Sequence, residues 1–562
     1  MAEPARAAGA IDAARGGMAR RWKSGETAFW LGAILLAVLK LVMVSDLNAV
    51  LVYGPHDDSL YVRRAFELLS GNGFGPYDSR TLVKLPGMSL WLALERALGI
   101  PHVIAVHALY CAAGMYLLWA LRRAGVPAIV ALAGCALYLF NPYTLSLEWH
   151  RILREPVVTP LLVMLFASAI IVIEAAAAGR AAYGHYVVFS ATLGFGMLVR
   201  EEDVLLLVVL AAVWLFTLMF VLRRDRSPRL AWRGWIALAL LPVAFVAGAN
   251  WSARAFIERH YGAGILHDYG EGEFPRLVAA LRSIRTAKDN RYVMVTQAAL
   301  RQLRTEVPRL APVIDRLPPP GPGSYSCKWL GVCSEWSTGW LLFWIKDAAY
   351  EVGLTPSLPA AQSYFRAVRE DVEKACADGR LRCEASGSGL IPPPELRWTR
   401  AFARELARIG GMLFPSGFTA IVDDAAPSAT GTAVARTFAA VTMSDRLPLI
   451  GNGVSPDRER IFREARGLVA LAYSAAANLV VALSFAALAV ALWRGFAGRQ
   501  PLAAMAIATV LGYVAIRIVA LSYVAVYMGH YEPRMVFAVY AAVLFMAPVM
   551  IWALFETRRR PR

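Results

Sequence analysis

Ten apolar runs dominate this chain, near 28–52, 102–121, 126–146, 156–178, 184–199, 203–222, 234–252, 467–493, 503–528 and 535–556. Most approach or exceed the ~20 residues that an α-helix needs to cross a bilayer. Inside a bilayer every backbone N–H and C=O must find its partner within the protein, which leaves helices as the means of crossing for runs of this kind. The fold class predicted is therefore an all-α polytopic membrane bundle of about ten spans. Composition supports this: 58% of residues are hydrophobic and 18% charged, with a mean hydropathy of +0.48. A soluble chain is nearer to about 45–50% apolar and about 25% charged. A soluble enzyme, a disordered chain and a secreted disulfide scaffold are excluded on these grounds.

The charge balance, 58 Lys and Arg against 41 Asp and Glu, leaves +17. In a membrane protein such an excess belongs first to the cytoplasmic loops, and no nucleic-acid partner is expected. With the N-terminus in the cytoplasm, alternation places Arg122, Arg123, Arg180, Arg223, Arg224, Arg226, Arg229, Arg233, Arg494 and Arg499 in short inner loops. The C-terminal cluster Arg558, Arg559, Arg560 and Arg562 is then inside as well. The basic segment 1–27 reads as a cytoplasmic tail. The apolar run after it is long enough to span, so it reads as an uncleaved first helix.

The expected organisation is an N-terminal membrane module over 28–252 with an outer loop at 54–101, an outer domain over 253–466, and a C-terminal module of about three spans over 467–562. The outer domain reads as mainly helical, with helices at Arg276–Thr286 and Ala360–Ala377, and is broken by proline-rich stretches at 317–323 and 391–394. Four of six cysteines fall in it, Cys327, Cys333, Cys376 and Cys383. An even set in an oxidising compartment suggests disulfides, with neighbour pairing the simplest connectivity. A zinc site is the other reading, although C-x5-C and C-x6-C do not match common zinc knuckles.

Polar residues gather at one level. Asp57 and Asp58 follow the first run. Glu148, His150, Arg151, Arg154 and Glu155 lie between the third and fourth, Arg200, Glu201, Glu202 and Asp203 between the fifth and sixth, and His530, Tyr531, Glu532 and Arg534 between the ninth and tenth. All four groups fall at the outer boundary in the topology above. They read either as one shared site or as separately solvated turns. As a site, they suit removal of a group from a phosphate: a carboxylate takes the proton of an attacking hydroxyl, and cations bind the phosphate and stabilise its growing charge. An apolar groove between spans could hold a lipid tail.

The first outer loop reads Asp57-Asp58-Ser59-Leu60-Tyr61, continues through Ala65, Leu68 and Gly71 to Gly73-Phe74, and is followed by Lys84-Leu85-Pro86. This D-D-x-x-Y-x-x-x-A-x-x-L-x-x-G-x-G-F pattern resembles the first periplasmic loop of GT-C superfamily glycosyltransferases. Lys84-Leu85-Pro86 is similar to the Lys-Pro-Pro element of the aminoarabinose transferase and protein O-mannosyltransferase branches, with Leu85 in place of the first proline. Asn141-Pro142 with Arg154-Glu155-Pro156, Leu198-Val199-Arg200-Glu201-Glu202, and His530-Tyr531-Glu532-Pro533-Arg534 resemble further elements of the family, in order and on one side. The resemblance covers roughly 28–250 and 503–556, and the outer domain has no counterpart in it.

The resemblance implies an integral membrane enzyme of the bacterial inner membrane, with both termini cytoplasmic and a periplasmic active site. Its donor would be a polyprenyl-phosphate-linked sugar, its acceptor a glycan, lipid or protein, and its transfer inverting. The catalytic base falls on Asp57 or Asp58, with Asp57 in the leading position. The other acid, Asp58 by preference, would cap the helix over Ser59–Leu69. Lys84, Arg154, Arg200, His530 and Arg534 are the candidate donor-phosphate residues, or else snorkelling or salt-bridged boundary residues. Glu155, Glu201 and Glu202 are candidate acceptor-binding residues or alternative bases. Lys40 and Arg517 lie deeper and are expected to pair within the bundle, with Asp46 as a candidate partner.

No cofactor is required by the sequence. A divalent metal near His56, Asp57 and Asp58 is left unassigned. A polysaccharide polymerase or ligase and an oligosaccharyltransferase are the neighbouring enzyme readings, the last disfavoured by the lack of a W-W-D triplet in the outer domain. A lipid-linked sugar transporter or flippase is the reading from another class, disfavoured because charge collects at one boundary rather than at the midplane.

Overall fold

The computed structural model describes residues 25–51, 57–222, 232–286, 290–384, 394–414, 433–444, 456–494, 501–529 and 533–555. Among them the ordered elements are helical, and β-structure is limited to isolated bridges, Val50 with Arg151 and Ile284 with Cys383. The chain is an all-α polytopic membrane bundle. Nine helices among the described residues are long and apolar enough to cross a membrane. The remaining expected run, the fifth in chain order, is the apolar helix Tyr183–Val199 of 17 residues.

Local chemistry trims several runs. The first helix, Gly25–Met43, ends well short of residue 52. The third stops at Leu139 because Asn141-Pro142 opens a 3₁₀ turn, Pro142–Leu145, whose first N–H groups are capped by the Asn141 side chain at 3.1 Å from Tyr143 N. The sixth begins as a 3₁₀ turn, Glu201–Leu206, before Leu207–Leu222. Helix Glu155–Ala177 is buried along nearly its whole length and forms the centre of the bundle. Around it lie His102–Arg123, Tyr183–Val199, Pro501–Met528 and Phe537–Phe555.

Helix Trp232–Tyr261 runs about two and a half turns past the end of its apolar run. Its polar extension keeps an apolar face, on which Ile257 packs with Phe74, Leu82, Leu266 and Leu358. Beyond it, helices Glu273–Ser283, Gln297–Glu306, Thr338–Glu351 and Leu358–Ala377 enclose a second core, from Phe274 to Leu381. Disulfides Cys327–Cys333 and Cys376–Cys383 close short loops at its edge.

The stretch expected as one outer domain over 253–466 divides. Helix Thr399–Gly411 packs on Pro501–Met528, and Ile409 and Leu413 join the core of the membrane bundle. Helix Ala433–Thr442 sets Phe438 and Val441 into a third core with Val44, Tyr61 and Leu92. Both helices are amphipathic, and instead of joining the outer core Thr399–Gly411 buries its apolar face on a membrane helix and Ala433–Thr442 buries its own on helices Asp58–Leu69 and Gly87–Ala97 of the first outer loop.

Candidate active site

Backbone pairing brings the first loop to the third turn. Val50 N–H donates to His150 O at 2.8 Å beside the Val50–Arg151 bridge. The chain then enters helix Asp58–Leu69, and the two neighbouring acids part company. Asp58 is fully buried and forked by Arg151, Nε to Oδ1 at 3.3 Å and Nη2 to Oδ2 at 2.7 Å. Asp57 keeps a quarter of its side chain exposed and lies 3.5 Å from Lys84 Nζ and 3.4 Å from Arg534 Nη2.

The expected division of labour between these acids needs correction in one respect. Asp57 occupies the N-cap position, yet its side chain makes no capping hydrogen bond, and Asp58 is the first helical residue. Arg151 engages Asp58 and the two cations engage Asp57, so ion pairing outcompetes the cap.

Lys84 is delivered by a tightly held loop. Buried Arg64 donates Nη1 to Lys84 O at 3.0 Å and Nη2 to Thr81 O. His267 Nε2 donates to Val83 O at 2.9 Å, and Asp268 N–H donates to Leu82 O at 2.9 Å. Asp268 is itself held by buried Lys346, and the next residue, Asp347, accepts from Ser79 and from Arg80 at 3.0 Å. The second core is thereby bolted to the loop that carries Lys84. Gly87 closes it from the other side: a Cβ there would stand 2.5 Å from Leu198 O, so only glycine lets this turn approach the end of helix Tyr183–Val199.

That approach assembles the remaining charges. Glu155 lies 3.1 Å from Arg200 and 3.6 Å from Arg534. Arg154 pairs with Glu201, and Glu201 also lies 3.6 Å from His267. Five cations (Lys84, Arg151, Arg154, Arg200, Arg534) thus face four carboxylates (Asp57, Asp58, Glu155, Glu201) across three turns and the first loop. Arg200 and Glu155 are almost wholly buried, so the charges act where water screens little.

The electrostatics separate the two aspartates. Burial works against ionisation of Asp57, but Lys84, Arg534, Arg154 and Arg151 outweigh it and hold the carboxyl well below the usual carboxylate range. Burial pushes Asp58 up to about 6, against the pull of Arg151. Asp57 is therefore ionised at neutral pH, partly open, and flanked by two cations.

The structure gathers Asp57, Asp58, Lys84, Arg154, Glu155, Arg200, Glu201 and Arg534. His530 lies outside the described residues, and so does His56; the side chain of Glu202 is not among those described. Among the described residues no group of three or more His, Cys, Asp or Glu is placed to hold a metal ion. Lys40 does not meet Asp46: it donates to Thr144, and Asp46 pairs with Arg466 at 2.7 Å. Arg517 donates to the Tyr513 hydroxyl at 3.1 Å.

Three contributors were missed in the sequence. Arg151 stands among the boundary charges, but nothing in the sequence marks Asp58 as its partner. His267 belongs to no motif. Tyr61 is one turn after Asp57, fully buried, and its hydroxyl has no hydrogen-bond partner among the described residues. Burial keeps that hydroxyl protonated, with Arg154 opposing and Asp57, Glu201 and Glu155 adding to the effect. The spacing from Asp57 to Tyr61 was the available signal, since residues four apart share a helix face.

No protein-family model matches the chain, and no curated protein sequence matches it. Among solved structures, ArnT from Cupriavidus metallidurans bound to undecaprenyl phosphate aligns over 93% of this chain and 77% of its own, at 14% identity and a TM-score of 0.29. A likeness at that level assigns no activity to this chain.

Proposed function

We propose that this chain is an integral membrane glycosyltransferase of the GT-C type, moving a sugar from a polyprenyl-phosphate donor to a hydroxyl acceptor at the outer face of the membrane. The observation that carries this reading is Asp57, ionised, a quarter exposed and set between Lys84 and Arg534. In the reaction the acceptor oxygen attacks the anomeric carbon. The bond from that carbon to the phosphate oxygen breaks, the acceptor proton passes to Asp57, and polyprenyl phosphate leaves. One base and direct attack invert the anomeric centre. Lys84 and Arg534 bind the donor phosphate and stabilise the charge that grows on it. Arg200 and Arg154 hold Glu155 and Glu201 in place and add positive field. The setting fits assembly of a cell-envelope glycan or glycolipid at the periplasmic face of a bacterial inner membrane, with both termini cytoplasmic.

Asp57→Asn keeps the side chain's shape and removes its charge. A positioned general base supplies about 10²–10⁴-fold of rate. Transfer from a synthetic polyprenyl-phosphate sugar is therefore expected to slow by at least about 100-fold, with donor binding retained. Full turnover in Asp57→Asn with none in Asp58→Asn would reverse the two roles, and full turnover in both would move the base out of this loop. Cysteines placed at Ser227 and Ser388, probed with a membrane-impermeant label, test the sidedness. Ser388→Cys is expected to label in intact cells and Ser227→Cys only after the membrane is opened; the opposite pattern inverts the topology.

A further inference from the structure

A second polar cleft lies where three parts of the chain meet. The second core contributes Arg282 and Arg291, the segment leading into helix Thr399–Gly411 contributes Glu395, Arg397 and Trp398, and the end of helix Pro501–Met528 contributes Tyr527. None of these residues takes part in the site around Asp57.

The lining has two chemical characters. One is charge. Three guanidinium groups meet two carboxylates: Glu395 holds Arg397 at 2.6 Å, and Glu405, from helix Thr399–Gly411, lies 3.4 Å from Arg291. Among the described residues of the lining the guanidinium groups outnumber the carboxylates, and guanidinium forks match phosphate and carboxylate oxygens in pairs. The other is a flat aromatic wall. Trp398 presents its ring beside the charges, with the Arg397 guanidinium 5.0 Å from its centroid. Tyr527 is fixed by the Glu395 N–H, which donates to its hydroxyl at 2.9 Å. Planar fork groups beside an indole face suit a sugar ring: the ring's C–H face covers the aromatic surface, and its hydroxyls bridge between Arg and Glu.

The cleft is also tied to the catalytic end of the chain. Tyr527 precedes Arg534 by seven residues. Between them Gly529 adopts a left-handed φ of 62°, and a Cβ there would stand 2.7 Å from Leu330, in helix Tyr325–Leu330, and 3.0 Å from Tyr292, in the turn before helix Gln297–Glu306. Gly529 is thus pressed against the same body that supplies Arg291.

We propose that this cleft is a saccharide subsite that takes a sugar bearing a phosphate or carboxylate and presents it as the acceptor. The acceptor role rests on the transferase reading above; the binding does not.

The test uses the full chain in phosphatidylcholine nanodiscs and titrates it calorimetrically with glucose 1-phosphate, glucose and inorganic phosphate. Glucose 1-phosphate is expected to bind at least about tenfold more tightly than glucose, since a charge-assisted hydrogen bond is worth at least that factor. Arg397 is half exposed, so Arg397→Glu should fold normally and weaken glucose 1-phosphate by at least about tenfold. Trp398→Ala should weaken glucose 1-phosphate while leaving inorganic phosphate unchanged. Lys84→Ala should change neither. Competition by phosphatidylinositol placed in the same nanodiscs would assign the subsite to a lipid headgroup, and its absence to a free saccharide.

Equal affinity for glucose and glucose 1-phosphate, no binding of any probe, or an unaltered Arg397→Glu would overturn the proposal. So would loss of binding in Lys84→Ala, which would place the anion in the catalytic site. Repeating the titration in Asp57→Asn keeps the two readings apart: full turnover in that variant sinks the catalytic assignment and leaves the cleft's affinity untouched.

Discussion

Around the end of the first span, buried charges are held in closed pairs. Arg466 grips both oxygens of Asp46 at 2.7 and 2.8 Å, with both side chains nearly buried, and His102 lies 2.6 Å from Glu95. At Asp57 itself the pairs are longer and shared. Asp57 divides itself between Lys84 at 3.5 Å and Arg534 at 3.4 Å, and Arg534 in turn reaches Glu155 at 3.6 Å. A closed pair joins helix to helix and has nothing to offer a ligand. In the shared set both cations can turn from the carboxylate to a phosphate, because Asp57 is a quarter exposed and is not left charged in a closed interior. The two regions differ in purpose: one holds the bundle together, and the other is poised to exchange partners.

Breaking the closed pair should show in stability. Arg466→Ala leaves Asp46 buried without its partner, which costs about 3–5 kcal/mol. A large fall in melting temperature with unchanged donor affinity in the folded fraction is expected; a normal melt would mean that Asp46 is not held as described. Breaking the shared set should show in binding. Lys84→Ala and Arg534→Ala are each expected to weaken polyprenyl-phosphate binding by about 1.5–3 kcal/mol, the range for a charged hydrogen bond in a dry site, with smaller effects on the melt. Normal donor affinity in both variants would move the donor phosphate elsewhere.

The smallest effect is a pH dependence, with opposite signs at the two aspartates. Asp58 titrates at about 6 in the folded chain against an ordinary 3.8. The folded chain therefore binds that proton more tightly than the unfolded chain does. Asp58 weakens stability above pH 6, and the penalty is relieved as pH falls from about 6 towards about 4. Asp57 is shifted down, so it adds stability above its ordinary value that is lost as pH falls below it. Asp58→Asn should remove the component between about pH 4 and 6, and Asp57→Asn should not. Identical pH profiles of melting for wild type and Asp58→Asn would contradict the burial assigned to that carboxyl.

Much of the membrane bundle was legible because a span leaves an uninterrupted record, some twenty apolar residues with charge at each end. The gathering of Asp57, Arg154, Arg200 and Arg534 was legible for the same reason, since charges at span ends share a level, whereas Lys84 was expected from the family resemblance alone. What was not legible are pairings between distant residues. Asp46 with Arg466 spans 420 positions, and Asp268 with Lys346 spans 78. Neither leaves a periodic or local trace, which is why Asp46 was a candidate partner for Lys40 and Arg517 instead of for Arg466. The extension of helix Trp232–Tyr261 was hidden because apolar content stops before helical structure does. The division of 253–466 was hidden because an amphipathic helix such as Thr399–Gly411 shows that it has an apolar face, but not which core will receive it.

The central claim is that Lys84 and Arg534 leave Asp57 for the donor phosphate while the closed pairs stay as they are. An experimental structure of the full chain with a bound polyprenyl phosphate tests it most directly. The account predicts the phosphate within hydrogen-bonding distance of Lys84 and Arg534, Asp57 opened towards the acceptor side, and Asp46–Arg466 unchanged. A phosphate seated elsewhere, with Asp57 still held between its two cations, would contradict it.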